Sequence, residues 1–144
     1  MTPFKFKIFS EFNSLSDVVL GTAESFCEGE RINMAMKKYY GTQKSPKKNG
    51  LAREYQEIKK ILQRGGVRVY EPIASSEVPQ QLAPRDIGFV IGDTFFVSNM
   101  KRGSRKNEID YLDPILKKFG GRVVKVPRNV YLEGGNIVVD EKKI

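Results

Sequence analysis

The strongest constraint on this chain lies in residues 83–98, APRDIGFVIGDTFFVS. Two short runs rich in β-branched and aromatic residues, 87–91 and 94–97, flank the pair Gly92-Asp93. Glycine reaches positive φ without steric cost, and aspartate is among the few other residues that tolerate it. The pair therefore suits a two-residue turn, and the stretch is expected to be a β-hairpin. At the mouth of its first arm stands the charged pair Arg85-Asp86. A second stretch, YLEGGNIVVD at 131–140, has a similar arrangement: Glu133 sits beside Gly134-Gly135, and the apolar run 137–139 is expected to follow as a buried strand. Two carboxylates at strand ends, each beside glycine-permitted backbone, are placed to converge on one cationic ligand.

The length of 144 residues suits a single domain, 1–144, with a core of useful size. No run of eighteen apolar residues occurs, so no membrane-spanning helix is expected. The opening MTPFKFKIFSEF has neither an apolar core nor a small-residue cleavage site, and does not read as a secretory signal. One cysteine, Cys27, forbids an internal disulfide framework and fits a reducing, cytoplasmic setting. With no histidine to join it, zinc sites of the usual kind are excluded, and no metal or cofactor is implied. The net charge of +8 favours anions and raises nucleic acid as a partner. The lysine-rich segment GTQKSPKKNG at 41–50 has no interleaved aromatic residues to stack bases, and reads as a solvated surface loop.

In chain order, Phe4, Phe6 and Ile8 alternate, and DVVLG at 17–21 reads as a short strand ended by glycine. Residues 31–40 suit a short helix with Ile32, Met36 and Tyr39/Tyr40 on one side. From Leu51 the apolar residues Leu51, Tyr55, Ile58, Ile61 and Leu62 recur at three- and four-residue spacing, so a helix is expected with that face inward. Gly65-Gly66 should stop it, and 67–70 should form a strand closed by Pro72, followed by a polar loop to Pro84. After the hairpin, a helix is expected from near Lys106, with Ile109, Leu112, Ile115, Leu116 and Phe119 apolar and Pro114 kinking or restarting it. A strand at 122–126 completes a β-β-α-β module over 87–126, with an imperfect copy before it. Residues 139–144 read as a strand, a turn and the start of a returning arm.

Four pieces in order, SEFNSLSDVVLG (10–21), PRDIGFVIGD (84–93), MKRGSRKNE (100–108) and LEGGN (132–136), resemble the guanidino-group-modifying superfamily: amidinotransferases, arginine deiminases and dimethylarginine dimethylaminohydrolases. The resemblance implies an α/β fold, a pentein-like propeller of β-β-α-β modules around a pseudo-fivefold axis, here truncated after about the first half. It implies that Asp86 and Glu133 grip a substrate guanidinium, that Arg105 binds the substrate carboxylate with Glu108 as its acidic partner, and that Asn136 stands where the family has an aspartate. Guanidinium is planar and permanently cationic, and a carboxylate meets it with two parallel charge-assisted hydrogen bonds. The family's chemistry uses a cysteine nucleophile and a histidine. There is no histidine here, and Cys27 lies too early and among acidic neighbours that oppose thiolate formation. The expectation is thus the N-terminal portion of an enzyme acting on arginine or an arginine derivative, inactive alone, with a C-terminal chain as complementing partner.

Other readings stand beside it. Asp86 can instead pair with Arg85 or cap a turn, Glu133 can be a strand-end charge, and Arg105 and Arg102, in a basic segment, can be solvated. At the level of the whole chain, the alternatives are a non-catalytic module that binds guanidinium or self-associates, and a basic nucleic-acid binder.

Overall fold

Gly92 reverses the chain with φ of 60°, and the two arms it joins pair as the sequence demands. The structure, a computed structural model, describes residues 5–31 and 33–140. The strands and helices are β1 (Asp17–Val19), α1 (Met34–Tyr39), α2 (Lys48–Arg64), β2 (Arg68–Tyr70), β3 (Gly88–Ile91), β4 (Thr94–Val97), α3 (Glu108–Leu116) and β5 (Arg122–Lys125). Three 3-10 turns intervene at Pro84–Ile87, Gly103–Arg105 and Gly134–Asn136. They fall into two compact units, one of residues 16–82 and one of residues 1–15 with 83–144.

In the second of these, β3 and β4 are antiparallel with Phe89 opposite Phe96, and β5 runs parallel to β4 with Phe96 opposite Val124. The order β3-β4-β5 with α3 as the crossover is the expected β-β-α-β module. Phe95 and Val97 on one face of β4 are buried, as are Leu112, Ile115 and Leu116 of α3. Phe6 stands between Phe95 and Phe119, with ring centroids 5.8 and 5.5 Å away. Ile8 makes a two-bond antiparallel bridge to Gly92, so the alternating N-terminal stretch caps the hairpin turn. On the opposite sheet face Phe89 and Phe96 stack at 5.2 Å, and with Ile91, Val124, Val130 and Leu132 they line an open apolar groove of about 360 Å³. Pro114 does not divide α3; the helix runs through it and ends two residues later at Leu116.

The unit of residues 16–82 holds a two-stranded parallel sheet, Val18 opposite Val69. Its core is Ala23, Phe26 and Tyr40, against which Met36, Leu51, Ala52 and Tyr55 pack. The α2 face is buried over only part of its length: Ile58 and Ile61 are 44% and 65% exposed, contrary to the spacing, because the core it covers lies against Leu51–Tyr55. Gly66, with φ of 81°, ends α2 as expected. The loop after β2 is ordered by a buried side chain, Gln81. Its amide oxygen accepts from Ser25 and from the Ser75 N–H, both at 3.0 Å, and its nitrogen donates to the Ile73 carbonyl at 2.8 Å.

One expectation changes here. Residues 137–139 are not a strand; the Ile137 carbonyl is taken by the Arg85 side chain, the Val139 N–H by the Glu11 side chain and the Val139 carbonyl by the Glu11 N–H, in place of a ladder. Phe4, Ile32 and residues 141–144, which carried further expectations, lie outside the described residues. No helix among the described residues is long and apolar enough to cross a membrane, and these residues include no cluster of three metal-ligating side chains.

Candidate functional site

The PRD and LEGG stretches pack on each other. Pro84 opens a 3-10 turn, its fixed φ suited to that first position, and Asp86 leaves this turn just before β3. Glu133 immediately precedes the second 3-10 turn, Gly134–Asn136, whose Asn136 N–H returns to the Glu133 carbonyl at 2.9 Å. At Gly134 the approach is backbone to backbone: a Cβ there would stand 2.1 Å from the Arg85 carbonyl oxygen and 2.5 Å from that of Gly88. The Gly134 N–H donates to Ser98 Oγ at 3.1 Å. A Cβ on Gly135 would meet Asp86 Oδ1 at 2.5 Å, so the glycine pair leaves room for the neighbouring backbone and for the aspartate carboxylate.

Asp86 is not paired with Arg85. Its Oδ2 accepts from Arg105 Nη1 at 2.7 Å. Arg105 itself is buried, not solvated as its basic surroundings suggested, with 7% of its surface exposed. Its Nε and Nη2 make a two-bond fork to Glu108 at 2.7 and 2.8 Å, and Nη2 also donates to the Ala83 carbonyl at 3.0 Å. Glu108, at the start of α3, is 1% exposed. Burial works against the Arg105 charge, but the Glu108 and Asp86 hydrogen bonds and charges outweigh it, and its pKa lies above the ordinary arginine value. Burial pushes the Glu108 carboxyl up, with the Arg105 bonds pulling the other way. A permanently charged guanidinium flanked by two carboxylates is an arrangement in which the ion pair holds.

Glu133 is half-buried, and its Oε1 accepts the Lys101 N–H at 3.1 Å. Asn136 is exposed. Cys27 is also exposed and belongs to the other unit. The sequence reading missed the frame around the two acids. Asn99 pairs with Leu132 through backbone bonds and donates its amide to the carbonyls of Arg128 and Val130 at 3.1 and 2.8 Å, fixing the approach to Glu133. Arg85 reaches Glu11 at 3.0 Å and the Ile137 carbonyl at 2.7 Å. The only signal for these roles was the presence of Glu11 and Arg85 inside the resemblance-bearing segments.

The family model described as N,N dimethylarginine dimethylhydrolase, eukaryotic, matches residues 23–144. The chain belongs to that family. Membership places it in the guanidino-group-modifying superfamily that its motifs resemble. Among solved structures, this family member resembles the N-terminal domain of ArgZ, an arginine dihydrolase from the ornithine-ammonia cycle in Cyanobacteria, bound to product. Identity is 15%, the TM-score is 0.72, and the match covers 84% of this chain and 43% of that one. A mutant of AgrE in complex with L-arginine matches at 20% identity and TM-score 0.72, covering 85% and 18%. SxtG, an amidinotransferase from Microseira wollei in the saxitoxin biosynthetic pathway, matches at 20% and 0.67, covering 88% and 42%. At these identities the likeness carries the α/β fold with its strand–helix modules, not an activity. The chain spans less than half the length of each of these proteins. No curated protein matches it.

Proposed function

We propose that this chain is the cation-gripping portion of an enzyme that acts on the guanidino group of arginine or an arginine derivative. In this reading residues 1–144 are one N-terminal part of a pentein-like propeller. The observation that supports it best is the backbone contact at Gly134, which sets the Asp86 turn against the Glu133 turn with Asp86 Oδ1 flush on Gly135. Asp86 and Glu133 bind the guanidinium, and Asn136, exposed beside them, supplies a neutral hydrogen-bonding group. Arg105, expected to receive the substrate carboxylate, has its fork committed to Glu108, so its first role is to hold Asp86 in place; a spare Nη1–H is what it offers a ligand. The nucleophile and proton carrier come from elsewhere, since these 144 residues hold no histidine and their one cysteine, Cys27, lies too early in the chain to match the family's nucleophile, and the chain alone does not turn over.

The test is isothermal titration with L-arginine and with citrulline, its neutral isostere. Heat is expected with arginine and none with citrulline. Glu133→Gln should weaken arginine binding about tenfold or more, the worth of one charge-assisted hydrogen bond. Equal heats from both ligands, or no effect of the substitution, would remove the grip. A second reading, a covering polypeptide that completes the fold, is supported by the open apolar groove on the β3-β4-β5 sheet.

A further inference from the structure

The two acid-bearing turns are joined by more than the Gly134 contact. Both carboxylate oxygens of Glu11 accept from Arg85 Nη2, at 3.2 and 3.0 Å. The same Nη2 donates to the Ile137 carbonyl at 2.7 Å. Glu11 Oε1 also accepts the Val139 N–H at 3.3 Å, and the Glu11 N–H donates to the Val139 carbonyl at 2.9 Å. One glutamate from the N-terminal segment thus holds the N–H and the carbonyl of Val139 and the arginine that precedes Asp86. The segment carrying Glu133 is fastened to the Asp86 turn at two points, Gly134 in front and residues 137–139 behind. Only Gly135 and Asn136 span the gap between them.

We infer that Glu11 and Arg85 form a clamp whose job is to set the spacing of Asp86 and Glu133, and that both are positioning residues for guanidinium recognition. The inference rests on the grip proposed above. Stability alone is a poor reason for the pair: Arg85 is 53% exposed and Glu11 28% at their side chains, and exposed ion pairs contribute little. Position is a better one. A fork that must meet a flat cation tolerates errors of only about 0.5 Å. Arg85 touches the segment after Glu133 while its own backbone adjoins Asp86.

The experiment compares Glu11→Gln, Arg85→Gln and the double variant by arginine titration and by amide hydrogen exchange. Each single change should lower arginine affinity about tenfold, and the double should be no worse than either, because one clamp is broken in all three. Melting temperature should stay close to wild type. Exchange should quicken about tenfold at Asn136, Ile137, Val139 and at Lys101, whose N–H is held by Glu133, while the β3 and β4 amides keep their protection. A clamp that served only stability would shift the melting temperature and leave affinity and the Lys101 amide unchanged. Affinity held within twofold, or losses that multiply in the double variant, would overturn the inference. Were wild type to bind no arginine, the grip would fall while the exchange at Lys101 and Asn136 still decided the clamp: unchanged rates there would refute it.

Discussion

Replacing Gly134 by alanine inserts one methyl group where two backbone segments already touch. The new Cβ would lie 2.1 Å from the Arg85 carbonyl oxygen and 2.5 Å from that of Gly88. Carbon and carbonyl oxygen settle no closer than about 3.3 Å, so the two turns must part by roughly 1 Å. Neither neighbour is a flexible side chain that can swing aside; one belongs to the turn bearing Asp86 and the other opens β3. Overpacking of a tight site costs about 1–3 kcal/mol, and rigid backbone on both sides puts this case near the top of that range. Parting the turns also stretches the bond from the Gly134 N–H to Ser98 Oγ, worth about 1 kcal/mol. The expected loss is about 3–4 kcal/mol, a large share of the 5–15 kcal/mol typical of a domain. Urea denaturation followed by circular dichroism reads it as a lower midpoint with unchanged slope. Gly50→Ala is the matched control, since nothing lies within 4 Å of its Cβ and it sits inside α2. There the same methyl should stabilise by up to about 1 kcal/mol. A Gly134→Ala protein within about 1 kcal/mol of wild type would refute the claim that this glycine is required by a backbone contact.

Removing the Arg105 side chain as Arg105→Met leaves Glu108, 1% exposed, as a buried charge without its fork; a loss of about 3–5 kcal/mol is expected in urea. That deficit should shrink as pH falls through the carboxylate range, because burial raises the Glu108 pKa and the protonated form is the one the fold then prefers. In the other unit, the Arg68 hydrogen bonds hold the Asp17 carboxyl below its ordinary pKa, with burial opposing them. Stability from this pair is therefore present above the ordinary carboxylate pKa and lost as pH falls through the lower folded value. Wild type should exceed Asp17→Asn in melting temperature near about pH 6 and converge with it near about pH 2. A constant gap between the two would sink the assignment.

The module β3-β4-α3-β5 could be read from the letters because each of its signals is local: a Gly-Asp turn between β-formers, an apolar three-four spacing, and a Gly-Gly stop. The placement of Arg105 could not. Its fork partner Glu108 lies three residues on and is visible in sequence, but Asp86 lies nineteen residues back, so its burial depends on how the turn at 103–105 meets the turn at 84–87. The same limit explains residues 137–139. Their β-branched letters favour a strand, yet the Ile137 carbonyl and both backbone groups of Val139 are held by Arg85 and Glu11, far away in the chain. Ile58 and Ile61 fail differently: the period of α2 is right, and periodicity gives the apolar face without saying how far along the helix a core extends.

The hydrogen bonds already made at the two acids narrow the form of the proposed grip. The sequence suggested that each carboxylate meets the cation with two parallel bonds. In the structure Asp86 Oδ2 is occupied by Arg105 and Glu133 Oε1 by the Lys101 N–H, while no hydrogen bond from the described residues reaches Asp86 Oδ1 or Glu133 Oε2. Each acid therefore keeps one oxygen without a hydrogen bond from the described residues, and in the proposed grip a planar fork would take one bond from each acid rather than two from either. Such a shared grip is far more sensitive to the spacing of the acids than a fork on a single carboxylate, whose two oxygens are fixed by covalent geometry. Under that proposal the sensitivity would give the close approach at Gly134 and the Glu11–Arg85 pair a function: with one oxygen on each turn, recognition of the cation would be set by how the turns are held together.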